Sequence, residues 1–223
     1  MMDRYDTYIM KTNSSPLIHE IFKVPVYSVK LSLDLTTYGG QGLSHLQALQ
    51  LFCQEYKDNN ESRIISNSGG YQSEDLDLDT PILKPLIDEI ENHANQFAKG
   101  FIGTECCDNQ VVDNMWININ GHKDSNHSHN HPKSDISGVY YLAAPEKCGN
   151  LVFEHPAMSV LTYYESGLNN PVTKYNDYNS SIWQVVPSIN NLHLFPAWLN
   201  HCVLPNKNEK AERLSISFNT KDK

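Results

Sequence analysis

The chain has 223 residues, with 17 Lys and Arg against 26 Asp and Glu, a formal net charge of −9. That length suits one large domain with a real core, and the acidic balance argues against a protein whose main work is gripping nucleic acid. No apolar run approaches the length needed to span a bilayer, and the polar start MMDRYDTYIMKTNSS does not read as a secretory signal.

In chain order, residues 1–20 read as a loose N-terminal segment and 21–223 as a single domain. IFKVPVYSVKLSLDL (21–35) has apolar residues largely at alternate positions, a strand signal broken near Pro25. Leu43, Leu46, Leu49 and Cys53 recur at spacings of three and four, which predicts a helix over 43–56. The glycine-bearing SNSGGYQSED (66–75) reads as a loop. The clearest helix is expected over 81–99, with Thr80 as N-cap, Pro81 at its first position, an apolar stripe of Ile82, Leu83, Leu86, Ile87 and Ile90, and Gly100 closing it. That face is open to two uses, covering a sheet or forming a homodimer. After Cys107 come short strand-like pieces at 111–120, 136–144, 150–156, 159–164, 181–186, 191–196, 201–205 and 213–219. Helices first and strands after predict a mainly β domain, a sandwich or jelly roll with helices packed on one face. Five cysteines, two adjacent at Cys106 and Cys107, do not form a disulfide pattern, so a reducing cytoplasm is expected.

The chemistry concentrates in HSHNHPKSDISGVYYL (127–142). Residues two apart on a strand point the same way, so His127, His129 and His131 offer alternate imidazoles to a metal or make up a polar turn. His201, between two apolar strand pieces in LFPAWLNHCVLP, is the best distant third ligand. In ERLSISFN, Leu214, Ile216 and Phe218 share one face, and Arg213, Ser215 and Ser217 the other. An arginine flanked by hydroxyls suits bidentate recognition of a carboxylate. Asn118 and Asn120 point the same way as Trp116 and either line a cavity or form a solvated face. No Ser-His-Asp or Cys-His set suggests itself.

Four ordered motifs, SNSGGYQS (66–73), HNHPKSDISGVYY (129–141), FPAWLNHCVLPN (195–206) and ERLSISFN (212–219), resemble the iron(II)- and 2-oxoglutarate-dependent oxygenases. They come nearest to a group of bacterial and phage members carrying SNxGGxQS, HxHPxSxxSGxYY and ERxSxSFN. The resemblance implies a double-stranded β-helix, a cupin-like jelly-roll barrel with its strands over about 111–219. It implies Fe(II), 2-oxoglutarate as cosubstrate and O2, with hydroxylation of a C–H bond and release of succinate and CO2. Carried over residue by residue, it places the metal on His129, His131 and His201. Arg213 takes the far carboxylate of 2-oxoglutarate, helped by Ser215 and Tyr141, and Asn118 contacts the near one. The superfamily pattern has a carboxylate where this chain has His131, which leaves His127, Asp135 and Glu154 as substitutes to weigh. Tyr71 and Gln72 are expected on the rim of the substrate cavity. The substrate, a protein side chain or a small metabolite, is left open. The alternative is a cupin-like metal-binding protein without oxygenase activity, in which Gly121 and the His127–His129 pair open the motif.

Overall fold

The computed structural model describes residues 23–39, 42–103 and 109–223. The expected loose segment 1–20 and the Cys106–Cys107 pair lie outside the described residues. In chain order the elements are β1 (Tyr27–Lys30), β2 (Thr37–Tyr38), β3 (Leu43–Ser44), α1 (His45–Asn59), β4 (Asn67–Ser68), β5 (Tyr71–Gln72) and α2 (Lys84–Phe101). They continue with β6 (Gln110–Asn120), β7 (Ser125–His129), β8 (Ile136–Ala143), β9 (Leu151–Glu154), α3 (Met158–Ser166), β10 (Ile182–Val185), β11 (Asn191–Pro196), β12 (His201–Val203) and β13 (Arg213–Asp222).

Two antiparallel sheets carry the fold. One has the order β1-β11-β8-β13-β6-β5 and the other β10-β9-β12-β7-β4. Neighbours far apart in sequence, such as β6 and β13, give the jelly-roll connectivity. Alternation divides the larger sheet into two faces. Ile117, Ile119, Ile136, Tyr140, Leu214, Ile216 and Phe218 join the core that α1 and α2 cover. Val139 and Tyr141 belong instead to a smaller cluster with Leu151, Phe153 and Phe195, between the sheets. Arg213, Ser215 and Ser217 share this inner face with Asn118 and Trp116.

The helices start and stop differently from the sequence expectation. Leu43 belongs to a short strand, and α1 starts after Ser44, whose hydroxyl accepts from Gln47 N while Gln47 Oε1 accepts from Ser44 N. That reciprocal cap satisfies two orphan donors of the first turn. Thr80 and Pro81 lie in a turn rather than at a helix start. Pro85 occupies the first turn of α2, where its missing N–H needs no acceptor. The helix runs through Gly100 because Phe101 stacks on Phe97 with ring centroids 5.3 Å apart. Gly103, with φ +71°, supplies the left-handed residue after it. The stripe of α2, centred on Leu86, Ile90, Ala94 and Phe97, is buried against the sheet. The expected strand over 159–164 is instead α3, a helix that buries none of its side chains. Among the described residues no helix is long and apolar enough to cross a membrane.

Candidate metal centre and cosubstrate pocket

His129 ends β7 and His201 begins β12, and the two are paired directly across the sheet. The same row continues to Phe153 on β9. His131 lies two residues beyond the end of β7, and its backbone N–H donates to Ala197 O, which ties it to the turn before His201. The ligand nitrogens of His129, His131 and His201 all lie within 4.8 Å of one another. Among the described residues this is the group of three or more ligating side chains that could hold a metal ion.

Hydrogen bonds to backbone carbonyls fix how two of these rings are used. His129 Nδ1–H donates to His127 O at 2.7 Å, and His201 Nδ1–H donates to Leu199 O at 2.9 Å. A carbonyl only accepts, so both rings carry their proton on Nδ1 and keep the Nε2 lone pair free, as a metal requires. Burial holds all three rings neutral. It lowers the pKa of His129, pushes His131 down to about 4 and His201 down to about 3, and each deprotonated ring is a competent ligand at pH 7.

None of the other candidates enters the group. His127 is exposed. Between Asn126 and His129 the register with β12 slips, because Asn126 pairs with Val203 and His129 with His201. A bulge there changes the phase of β7, so Asn126 and His129 both line the cavity although they are three residues apart. Asp135 Oδ2 accepts from Gln110 Nε2 at 3.1 Å and from Asp222 N at 2.7 Å, which commits it to the sheet edge. Glu154 follows Phe153, whose side chain is in the inner cluster, so alternation turns Glu154 outward. The set is three imidazoles with no carboxylate.

A single cleft of about 520 Å³, part of it open to solvent, connects this group to Arg213. Asn118, Tyr141 and Ser215 line it too. Asn118 Nδ2 donates to Ser217 Oγ at 3.0 Å, while the hydroxyls of Tyr141 and Ser215 have no protein partner among the described residues. Arg213 is only 1% exposed. Its Nη1 donates to Cys148 O at 2.7 Å and to Gly149 O at 3.3 Å. Among the described residues it has no carboxylate within ion-pair distance. Burial pushes the Tyr141 phenol up to about 12, with the nearby guanidinium pulling the other way. It is therefore a neutral donor at pH 7.

Tyr71 and Gln72 do not line the cleft. Tyr71 packs into the helix-side core and Gln72 is buried beside Asn118 in the β5–β6 pairing. The loop reaches the cleft instead through Ser66, whose hydroxyl accepts from Asn126 Nδ2 at 3.3 Å. Its glycines serve close packing. Gly69 and Gly70 have φ of +71° and +68°, and a Cβ on Gly69 would collide with the Asp124 carboxylate. Asn126 had no signal in the sequence, and Ser66 had only its place at the head of SNSGGYQS. Asn120 had one, its parity with Asn118, and it lines the cleft with its Oδ1 unpartnered.

Behind Tyr141 lies His193, 2% exposed, with its ring 5.9 Å from that of Tyr141 and its Nδ1 2.7 Å from Ser28 Oγ. Burial pushes this imidazole down to about 4. In the unfolded chain it titrates near 6.5. The folded chain therefore binds fewer protons than the unfolded one between these values. The resulting stability is fully present above about pH 6.5 and is lost as pH falls toward 4. Urea unfolding at pH 7 and pH 5 should show His193→Asn losing less stability than wild type, by about 2 kcal/mol. Equal losses would mean that His193 is already solvated.

Residues 114–219 match the model of a family described as "Putative 2OG-Fe(II) oxygenase". This segment is that of a 2OG-Fe(II) oxygenase. Its fold is shared with solved structures of low identity. A prolyl-4-hydroxylase from Pseudomonas putida is 16% identical, with 90% of this chain and 94% of that one covered and a TM-score of 0.58. The alpha-ketoglutarate-dependent epimerase SnoN from nogalamycin biosynthesis is 14% identical over 89% and 79% of the two chains, with a TM-score of 0.59. HygX from Streptomyces hygroscopicus, solved with nickel and 2-oxoglutarate, is 9% identical over 89% and 83%, with a TM-score of 0.58. No curated protein sequence matches the chain. Three of the four motifs fall inside the matched segment, and SNSGGYQS precedes it. Iron and 2-oxoglutarate fit the donors present: three neutral imidazoles for the metal and an unpaired buried guanidinium for a carboxylate.

Proposed function

We propose that this oxygenase hydroxylates a C–H bond of a protein side chain or small metabolite. His129, His131 and His201 hold Fe(II), and Arg213 receives the far carboxylate of 2-oxoglutarate. The observation that carries this reading is Arg213: a buried guanidinium with no carboxylate in ion-pair contact among the described residues, in the same cleft as three ring nitrogens poised for a metal. A buried charge is costly unless paired, and the planar fork of arginine matches a carboxylate in two hydrogen bonds. When bound, iron would activate O2 as the oxidant, with two of its four electrons coming from 2-oxoglutarate, released as succinate and CO2, and two from the substrate C–H bond.

The chain's own residues bind and orient. Ser215 and Tyr141 offer free hydroxyls beside Arg213, the second as a neutral phenol, and Asn118 is placed for the near carboxylate. Phe195 and Phe153 pack against His201, with ring centroids 4.6 and 6.4 Å away, and keep water from the back of the ligand. The named neighbours include a prolyl-4-hydroxylase and an epimerase of nogalamycin biosynthesis, so likeness of fold does not select between polypeptide and small molecule. The described cysteines Cys53, Cys148 and Cys202 are free thiols, which supports a reducing, cytoplasmic setting.

Anaerobic addition of Fe(II) and 2-oxoglutarate should produce the weak visible charge-transfer band of the chelate and raise the melting temperature above that with metal alone. Metal binding with neither band nor added stabilisation would overturn this reading in favour of a metal-binding protein without oxygenase activity.

A further inference from the structure

The segment between β9 and β11 is built unlike the rest of the chain. Eleven of the nineteen exposed large apolar side chains among the described residues lie in 155–189. Tyr163 is 83% exposed and Val186 71%. The helix within it, α3, buries none of its side chains. Glu165, Lys174 and Asp177 are its only acidic or basic residues, a net charge of −1 in a chain of −9. A concentrated apolar surface of this kind marks an interaction site. β10 borders it and ends the smaller sheet. Among the described residues no strand pairs with the outer edge of β10. Every second residue there turns its N–H and C=O away from β9 and leaves them open to pairing. The other sheet edges are guarded. β1 ends in Lys30, and β2, β3, β4 and β5 are two residues long. β10 has four residues, IWQV, with no charge and no proline, and the first three are exposed.

We propose that this edge is the seam of a homodimer. β10 pairs antiparallel with β10 of a second copy about a two-fold axis, joining two five-stranded sheets into one of ten strands. An antiparallel edge is self-complementary under a two-fold, because each copy offers the other the same alternation of donors and acceptors. The charge distribution fits a second copy. Two chains of −9 repel across most of their surfaces, and this near-neutral segment is where they can approach. The backbone N–H of His155 donates to Ser181 O, so the apolar insertion starts and ends beside the seam. A polypeptide substrate does not suit this edge. The paired row His129, His201, Phe153 and Trp183 crosses four strands. A strand added beyond β10 would run three spacings from β12, about 14 Å, too far for its side chains to reach a metal on His201. The apolar face of α2 is not available to a partner, because the sheet already covers it.

Sedimentation equilibrium of the full chain tests this. The expected species has twice the 25.4 kDa mass of the chain and dissociates on dilution. The double variant Ile182→Lys/Gln184→Lys sets like charges on both copies of the seam. It should raise the dissociation constant at least about tenfold. Leu51→Lys, at an exposed apolar position on α1, should leave that constant unchanged. Amide hydrogen exchange gives a second measure on the wild type alone: the β10 amides should exchange more slowly as protein concentration rises. That measure decides if circular dichroism shows the double variant unfolded. A chain of single mass at every concentration overturns the proposal, and protected β10 amides in that monomer would mean that another segment of the same chain covers the edge. A dimer that the folded double variant leaves intact has its seam elsewhere and overturns it too. Metal and cosubstrate binding are untouched by any of these outcomes, so the oxygenase reading stands or falls separately.

Discussion

Alanine in place of His201 should remove metal binding while leaving the chain folded. Of the three proposed ligands, His201 has the least freedom. It is 5% exposed, paired with His129 on one side and Phe153 on the other, and its tautomer is fixed by Leu199 O. Even losing an outer partner of a metal ligand costs roughly 10–100-fold in affinity. Removing the ligand itself, from a set of only three, should exceed about 100-fold. The fold should survive because the imidazole donates its one hydrogen bond to a neighbouring turn and carries no charge. The cavity left against Phe195 and Phe153 should cost about 1–3 kcal/mol. Titration with Co(II), followed by its visible ligand-field spectrum, checks the first part, and urea unfolding of the metal-free proteins checks the second. Unchanged Co(II) affinity would place the metal elsewhere.

How much of this was legible in the sequence depends on whether a side chain's direction follows from alternation alone. On β13 it does. Leu214, Ile216 and Phe218 face the helices, and Arg213, Ser215 and Ser217 face the cleft. The same rule separates Tyr140, in the helix-side core, from Tyr141 in the cleft. On β7 it fails. Three histidines at alternate positions suggest one face, yet the bulge after Asn126 and the end of the strand at His129 break the period. His127 ends exposed, and His131 reaches the cluster through a turn held by Ala197. A bulge is set by the partner strand, so the local sequence does not display it.

Other differences have equally local causes. SVLTYY at 159–164 is apolar and β-branched enough to read as a strand, but six residues are too few for periodicity to separate strand from helix. Tyr71 looks like a surface residue in a polar loop, but its strand pairs with β6 and carries its ring into the core. Asp135 has the right parity to replace a ligand, and only its two hydrogen bonds show that it is engaged elsewhere.

Replacing Arg213 with methionine should abolish tight cosubstrate binding while sparing the metal. The apolar side chain has similar length and fills the same space. It removes the cation proposed to meet the far carboxylate, and truncating one partner of a buried charged pair costs about 2–5 kcal/mol. In 2-oxoglutarate affinity that is about 30-fold to several thousand-fold. Two further effects oppose each other in the ligand-free protein. Cys148 O and Gly149 O lose the donor at 2.7 and 3.3 Å, which costs about 1–3 kcal/mol. The chain also no longer buries an uncompensated charge, which gives back a similar amount. Its unfolding free energy should therefore stay within about 2 kcal/mol of wild type. Arg213→Lys separates charge from shape. It keeps the cation, loses the two-pronged geometry, and should recover only part of the affinity. Isothermal titration of the Co(II)-loaded proteins with 2-oxoglutarate measures all three. If Arg213→Met binds 2-oxoglutarate as wild type does, the far carboxylate lies elsewhere in the cleft, and the unpaired guanidinium awaits some other anion.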